Sequence, residues 1–251
     1  MNLQGKVALI TGGRRVGGEL AKLLFDRGMS IAMTYLTNPE AIERTLNEIR
    51  TRGGKGFAVS ADLSDASQAE RAVAETVGTF GRVDVLVNMA SVYRRTPFEE
   101  LVPADFNQMI AANLAAPYFT AISAARQMRR QVGEDGLKGK IVNVGDWATD
   151  RPYQHYLPYL TAKGALKTFT LALAKELAPD VTVNLVQPAM IDPPPDFTDD
   201  DKAAVVALTP LHRVGTPGDL NRLILYLLEG TDFATGSCYR VDGGRFLGMN
   251  E

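Results

Sequence analysis

The chain is poor in metal-binding and redox side chains: one cysteine, Cys238, and two histidines, His155 and His212, in 251 residues. A single thiol excludes an internal disulfide framework and any cysteine-rich zinc site, and two histidines add too little for a transition-metal centre. Excess charge is also missing, since 27 lysines and arginines stand against 29 aspartates and glutamates, a formal net charge of −2. That balance supplies no basic field for nucleic acid or an anionic membrane; Arg14-Arg15 and Arg129-Arg130 are isolated pairs. No run approaches the roughly 20 apolar residues of a spanning helix, and the N-terminus enters a strand pattern directly instead of a signal peptide. These absences leave a cytoplasmic enzyme with a small-molecule substrate as the expectation.

What is present is an alternation of strand and helix patterns. With 45% hydrophobic and 22% charged residues, a chain of this length suits one α/β domain, residues 1–251, around a single substantial core. Short apolar runs at 6–10, 30–35, 56–60, 83–87, 140–144, 181–186 and 238–241 predict strands. Helical periodicity fills 16–27, 39–50, 66–80, 103–130, 155–177 and 220–228. The 103–130 stretch breaks near Asn113 and carries Pro117, so two helical pieces or one kinked helix are expected. The alternation predicts a Rossmann-type, doubly wound parallel sheet of about seven strands with helices on both faces. Four prolines between 188 and 195, then Asp199-Asp200-Asp201 and a short helix at 202–208, mark residues 188–212 as a flap over a ligand.

Thr11-Gly12-Gly13-Arg14-Arg15-Val16-Gly17 lies between the first strand and the first helix, where a glycine turn can cradle a pyrophosphate. Gly12 permits a tight turn, and the helix N-terminus at Val16 offers unpaired N–H groups. A site for NADH usually keeps a carboxylate at the end of the second strand for the ribose hydroxyls. Here the strand ends Tyr35-Leu36-Thr37-Asn38, without an acid. Arg14 or Arg15 can face a 2′-phosphate there, with Thr37 and Asn38 donating to it, so NADPH (NADP+) is expected over NADH. Asp62-Leu63, past the third strand, places a carboxylate for the adenine amino group. Asn88-Met89-Ala90-Ser91 follows the fourth strand. Small residues such as Ala90 let a cofactor lie over the strand ends; Asn88 joins it there, caps its own strand, or does both.

Tyr159 and Lys163 stand four residues apart on one helix face. A neighbouring ammonium favours phenolate, so the spacing predicts a tyrosine with lowered pKa that serves as general acid or base. With Thr11-Gly12, Asn88-Met89-Ala90-Ser91, Asn113, Asn184-Leu185-Val186-Gln187-Pro188, Thr235-Gly236 and Val241-Asp242-Gly243-Gly244, the chain resembles the short-chain dehydrogenases/reductases over almost its full length. The resemblance implies that Tyr159 exchanges a proton with the substrate and that Lys163 lowers its pKa and holds the nicotinamide ribose. It further implies that Asn113 anchors a water leading from Lys163 to solvent. Gln187-Pro188-Ala189 would floor the nicotinamide, with Ala189 where most members carry glycine. A homotetramer is implied as well, as is a C-terminal segment, 245–251, that approaches a neighbouring subunit's pocket.

The main departure from the family pattern is Asp146, 13 residues before the tyrosine, where most members place serine. An ionised aspartate only accepts hydrogen bonds and repels a developing ketone oxyanion. It suits a substrate that presents N–H groups, or one that receives a proton relayed through Tyr159; the alternative is a protonated Asp146. In Asp146 and in Arg14-Arg15-Val16-Gly17 the chain is similar to the pteridine reductases and related dihydrofolate/dihydromonapterin reductases, with a nucleotide loop one residue shorter. That subgroup implies a ring substrate sandwiched between nicotinamide and an aromatic side chain. Tyr93 is the nearest counterpart, and Trp147 is a second candidate or a loop hydrophobe. The implied reaction is NADPH-dependent hydride transfer to a pterin-like C=N bond, with Tyr159 as proton donor. A carbonyl or 3-oxoacyl thioester reductase is the alternative; a dinucleotide-binding protein without catalysis is opposed by the intact Asn113, Tyr159 and Lys163. His155 reads as a solvent-facing polar residue, His212 as structural and Cys238 as a small buried hydrophobe.

Overall fold

Successive residues of each strand meet opposite helical layers, and this two-residue period organises the whole molecule. In the computed structural model, residues 1–13, 16–133, 136–191, 193 and 197–248 are described. Strands β1 (Val7–Thr11), β2 (Ser30–Tyr35), β3 (Gly56–Ser60), β4 (Val85–Asn88), β5 (Gly139–Val144), β6 (Val181–Pro188) and β7 (Cys238–Val241) form one parallel sheet in the order 3-2-1-4-5-6-7. Between them run α1 (Val16–Phe25), α2 (Glu40–Thr51), α3 (Ala66–Phe80), α4 (Pro103–Ile110), α5 (Ala116–Arg130), α6 (Leu157–Leu177), α7 (Asp199–Ala207) and α8 (Pro217–Leu225). Ala8 and Ile10 of β1 pack with Leu20 and Leu24 of α1, Leu46 of α2 and Ile224 of α8. Val7 and Leu9 belong to the other face, with Val73 of α3, Ala124 and Met128 of α5 and Leu173 of α6. Burying a side chain such as Leu9 or Ile10 contributes about 1.5–3 kcal/mol each.

The expected interruption at Asn113 is a π turn, Ala111–Ala115, that joins α4 to α5. Pro117 has no N–H to return to the Asn113 carbonyl four residues back, so the α ladder cannot continue there. Helix α7 begins three residues earlier than the pattern at 202–208 suggests. Thr198 Oγ1 accepts from the Asp201 N–H at 3.1 Å, and Asp201 Oδ2 accepts from the Thr198 N–H at 3.0 Å. Three carboxylates in a first turn complement the helix dipole, so the acidic run initiates the helix instead of forming a loop. Helix α6 starts later than expected, because His155 adopts a left-handed φ of 70° and its carbonyl accepts from the Thr96 N–H at 2.6 Å. His155 is consequently half-buried, not solvent-facing. Cys238 is likewise only partly buried, since β7 is the sheet edge. No helix among the described residues is long and apolar enough to cross a membrane.

Candidate active site

The strand order reverses between β1 and β4, and in open parallel sheets such a switch point opens a crevice beyond the strand ends. A continuous cleft of about 1540 Å³ starts there and runs along the carboxyl ends of the sheet. One small ligand typically needs roughly 300–1,000 Å³, so a dinucleotide and a second molecule have room together. Gly12 turns the chain at φ 69°, and a Cβ on it would lie 2.9 Å from the Ala90 Cα. Only glycine fits that contact, which keeps a backbone-lined cradle suited to a pyrophosphate. Thr11 Oγ1 fixes the opposite wall by accepting from the Met89 and Ala90 N–H groups at 3.1 and 3.3 Å.

Val16, Tyr35, Thr37, Asn38, Asp62, Leu63 and Ala90 all line this nucleotide end, as the sequence suggests. Asn38 Oδ1 accepts from the Glu40 N–H at 2.8 Å, which starts α2 and leaves the side-chain amide N–H groups for a ligand. Asp62 Oδ1 accepts from the Ser64 N–H and hydroxyl at 3.0 and 2.7 Å. Arg14 and Arg15 lie outside the described residues. Arg44 of α2 is a cation on the same wall that the sequence reading did not assign. Its position one turn after Glu40, on the helix that follows Asn38, is the available signal. Asn88 departs from the cofactor role: it is absent from the cleft wall and its Nδ2 donates to Asn143 Oδ1 at 2.9 Å and to the Pro117 carbonyl at 3.2 Å. Its strand position, level with Thr11 and Asn143, directs the amide into the β4–β5–α5 junction, which it ties together.

At the other end the Tyr159 hydroxyl donates to Asp146 Oδ2 at 2.8 Å. Asp146 Oδ1 accepts from the Ala148 N–H at 2.8 Å, which fixes the carboxylate. Lys163 Nζ donates to the Val144 carbonyl at 2.8 Å and stands 5.9 Å from the Tyr159 ring centroid. This geometry reverses the pKa expected from the four-residue spacing. Burial, and then the adjacent Asp146 carboxylate, push Tyr159 well above its ordinary value. Burial also raises Asp146 and lowers Lys163 to about 8. Tyr159 is therefore a phenol that carries its proton into the cleft. Asn113 is fully buried and lies off the cleft wall. Its Oδ1 accepts from Ser91 Oγ at 2.6 Å and the Val92 N–H at 3.3 Å, and its Nδ2 donates to the Val92 carbonyl at 3.0 Å. The side chain thus clamps the loop after β4.

Aromatic rings enclose the reacting end. Tyr93 stacks on Tyr156 with centroids 4.5 Å apart and meets Tyr159 edge-on at 5.0 Å. The Tyr153 hydroxyl donates to the Tyr93 hydroxyl at 3.3 Å, and the Trp147 ring lies 6.1 Å from that of Tyr153. Tyr153 and Tyr156 escaped the sequence reading; their three-residue spacing just before α6 is the only trace they leave. Pro188, at the end of β6, completes the floor.

Residues 6–203 match the family of the short chain dehydrogenases. The chain belongs to that family. Among similar short-chain dehydrogenases/reductases, versicolorin reductase 1 of Aspergillus parasiticus is 30% identical over 262 residues, covering 97% of each chain. A 3-oxoacyl-[acyl-carrier-protein] reductase of Synechocystis sp. is 31% identical over 250 residues, covering 98% of each chain. A blue fluorescent protein from a metagenomic library, solved in complex with NADPH, superimposes with a TM-score of 0.88 at 30% identity, covering 98% of this chain and 99% of that one. This short-chain dehydrogenase/reductase is an oxidoreductase with the seven-stranded parallel sheet of its relatives.

Proposed function

We propose that the enzyme reduces a C=N bond in a flat, pterin-like ring at the expense of NADPH. The observation that carries this reading is the 2.8 Å hydrogen bond from Tyr159 to Asp146 inside an aromatic enclosure. A carboxylate in that position accepts hydrogen bonds from ring N–H groups and opposes the negative charge that a reduced ketone would develop. Tyr93 and Trp147 offer flat faces to a ring. When bound, a reduced nicotinamide supplies the hydride for the electrophilic carbon. Tyr159 delivers the proton to the nitrogen, Asp146 holds the ring's N–H groups, and Lys163 keeps positive charge beside the pair. Met190, Ile191, Phe197, Val205 and Thr209 line the substrate end, which supports the reading of 188–212 as a flap.

For the nucleotide, Thr37, Asn38 and Arg44 together favour a 2′-phosphate, and the NADPH complex of the metagenomic protein is consistent with that. Arg44→Glu is expected to weaken NADPH binding by about tenfold or more, since a hydrogen-bonded charge contact contributes about 1.5–3 kcal/mol. NADH binding should change little. Dissociation constants for both reduced cofactors check this, and an unaltered ratio removes Arg44 from the phosphate site.

The second reading, reduction of a carbonyl or 3-oxoacyl thioester, is favoured by the similarity to the Synechocystis reductase. NADPH oxidation measured with dihydrobiopterin, dihydrofolate, biopterin and a panel of ketones and 3-oxoacyl thioesters separates the two. Turnover of carbonyl compounds alone would discard the C=N reading.

A further inference from the structure

The substrate end holds a cation that the proposed reaction leaves unused. Arg245, in the C-terminal segment, is half-buried and lines the cleft that contains Asp146, Trp147 and Tyr159. Its guanidinium carbon lies 5.6 Å from the Trp147 ring centroid, and Nη1 donates to the Val205 carbonyl at 3.1 Å. Among the described residues no carboxylate lies within ion-pair distance of it, whereas Arg240 and Arg213 on the same wall each face one. Arg240 stacks 3.8 Å above Phe246 and faces Asp150 at 3.7 Å. Arg213 pairs with Asp219 at 2.7 Å. Lys163 donates to the Val144 carbonyl. Arg151 donates to the Phe246 carbonyl at 2.9 Å and adds like charge near Arg245. Burial holds Arg245 below its ordinary range, opposed in part by Tyr153 and helped by the like charge of Arg151.

Leaving a charge half-buried and unpaired is costly, and the planar fork of an arginine matches the oxygens of a carboxylate or phosphate. The cation–π contact with Trp147 and the bond to the Val205 carbonyl hold the fork beside the residue that follows Asp146. We propose that Arg245 binds an anionic substituent, carboxylate or phosphate, carried by the substrate on the far side of Trp147 from the reacting bond. The enzyme then selects acidic-tailed substrates. This rests on the reductase reading of Asp146 and Tyr159, though not on the identity of the reducible bond. Arg245 lines its own chain's cleft; residues 249–251 lie outside the described residues.

The test compares substrate pairs that differ only in an anionic group. Dihydrofolate against its dimethyl ester, dihydroneopterin with and without its phosphate, and a long-chain oxo acid against its methyl ester cover both anions and both reaction readings. Arg245→Ala should lower kcat/KM for the anionic member on the order of tenfold to a hundredfold, mostly through KM, and far less for the neutral member. Arg245→Lys should restore part of the loss, and the pair that responds identifies carboxylate or phosphate. If Arg245→Ala does not fold, Arg245→Gln, which keeps the start of the aliphatic stem and removes the charge, carries the same comparison. Equal losses on both members would make Arg245 a packing residue for Trp147 and overturn the proposal. So would wild-type enzyme that turns over only neutral members, an outcome that leaves the reductase reading standing. Wild-type enzyme inert towards every member would remove the reductase reading and this proposal with it.

Discussion

Tyr159→Phe is expected to lower turnover by about 10²–10⁴-fold, the usual contribution of a positioned general acid. The substitution removes one oxygen from a ring held by Tyr93 and the start of α6, so the cleft should keep its shape. NADPH should therefore bind as before while the proton has no donor. The variant also leaves Asp146 with the Ala148 N–H as its remaining partner, which raises that carboxyl further. Turnover and cofactor dissociation constants measured side by side decide the matter. Activity near the wild-type level would show that another group donates the proton, and loss of cofactor binding would mean that the phenol holds the site together.

Replacing Asp146 by serine is expected to cut turnover of an N–H-bearing ring about tenfold to a hundredfold, from loss of charge-assisted hydrogen bonds of about 1.5–3 kcal/mol. Ketone turnover should rise, because a hydroxyl can donate to a developing oxyanion and a carboxylate cannot. An unchanged substrate profile would remove Asp146 from substrate recognition. The isosteric Asp146→Asn variant probes the same group through pH. Burial raises the folded pKa of Asp146 above its ordinary 3.8, so the ionised form costs stability in the fold. That cost is absent below the unfolded pKa and appears as pH rises through the folded one. Asp146→Asn should accordingly melt higher than wild type at neutral pH, and the difference should fade as pH falls toward 3.8. The acid limb of the wild-type kcat/KM profile should lie above the ordinary carboxylate range and vanish in the variant. A melting difference that is constant with pH would contradict the raised pKa.

Local chemistry made much of this enzyme legible before any tertiary contact was considered. Apolar runs of strand length alternating with helical periods dictate a parallel sheet with two covered faces, because strand residues must bury both sides. Pro117 announces the break at Asn113 through its missing N–H, and Gly12 announces the turn through its freedom at positive φ. Spacing on one helix picks out Tyr159 and Lys163, the resemblance to the family picks out Asp146, and all three meet at the cleft.

Tertiary structure decided the rest, for reasons that spacing cannot carry. Lys163 is four residues from Tyr159, yet its ammonium is tied to Val144, so burial and Asp146 set the phenol's proton affinity. Desolvation depends on what the fold packs around a group, not on its neighbours in the chain. Asn88 lies in the right segment, but its amide turns into the β4–β5–α5 junction. Arg44, the Tyr153–Tyr156 loop and Arg245 reach the cleft from three separate places in the sequence. The sequence by itself determined the fold, the turn that can receive a dinucleotide and the proposed trio of Asp146, Tyr159 and Lys163; only the packed sheet determined which cleft cations lack a carboxylate partner among the described residues, because convergence of distant residues is set by helix packing.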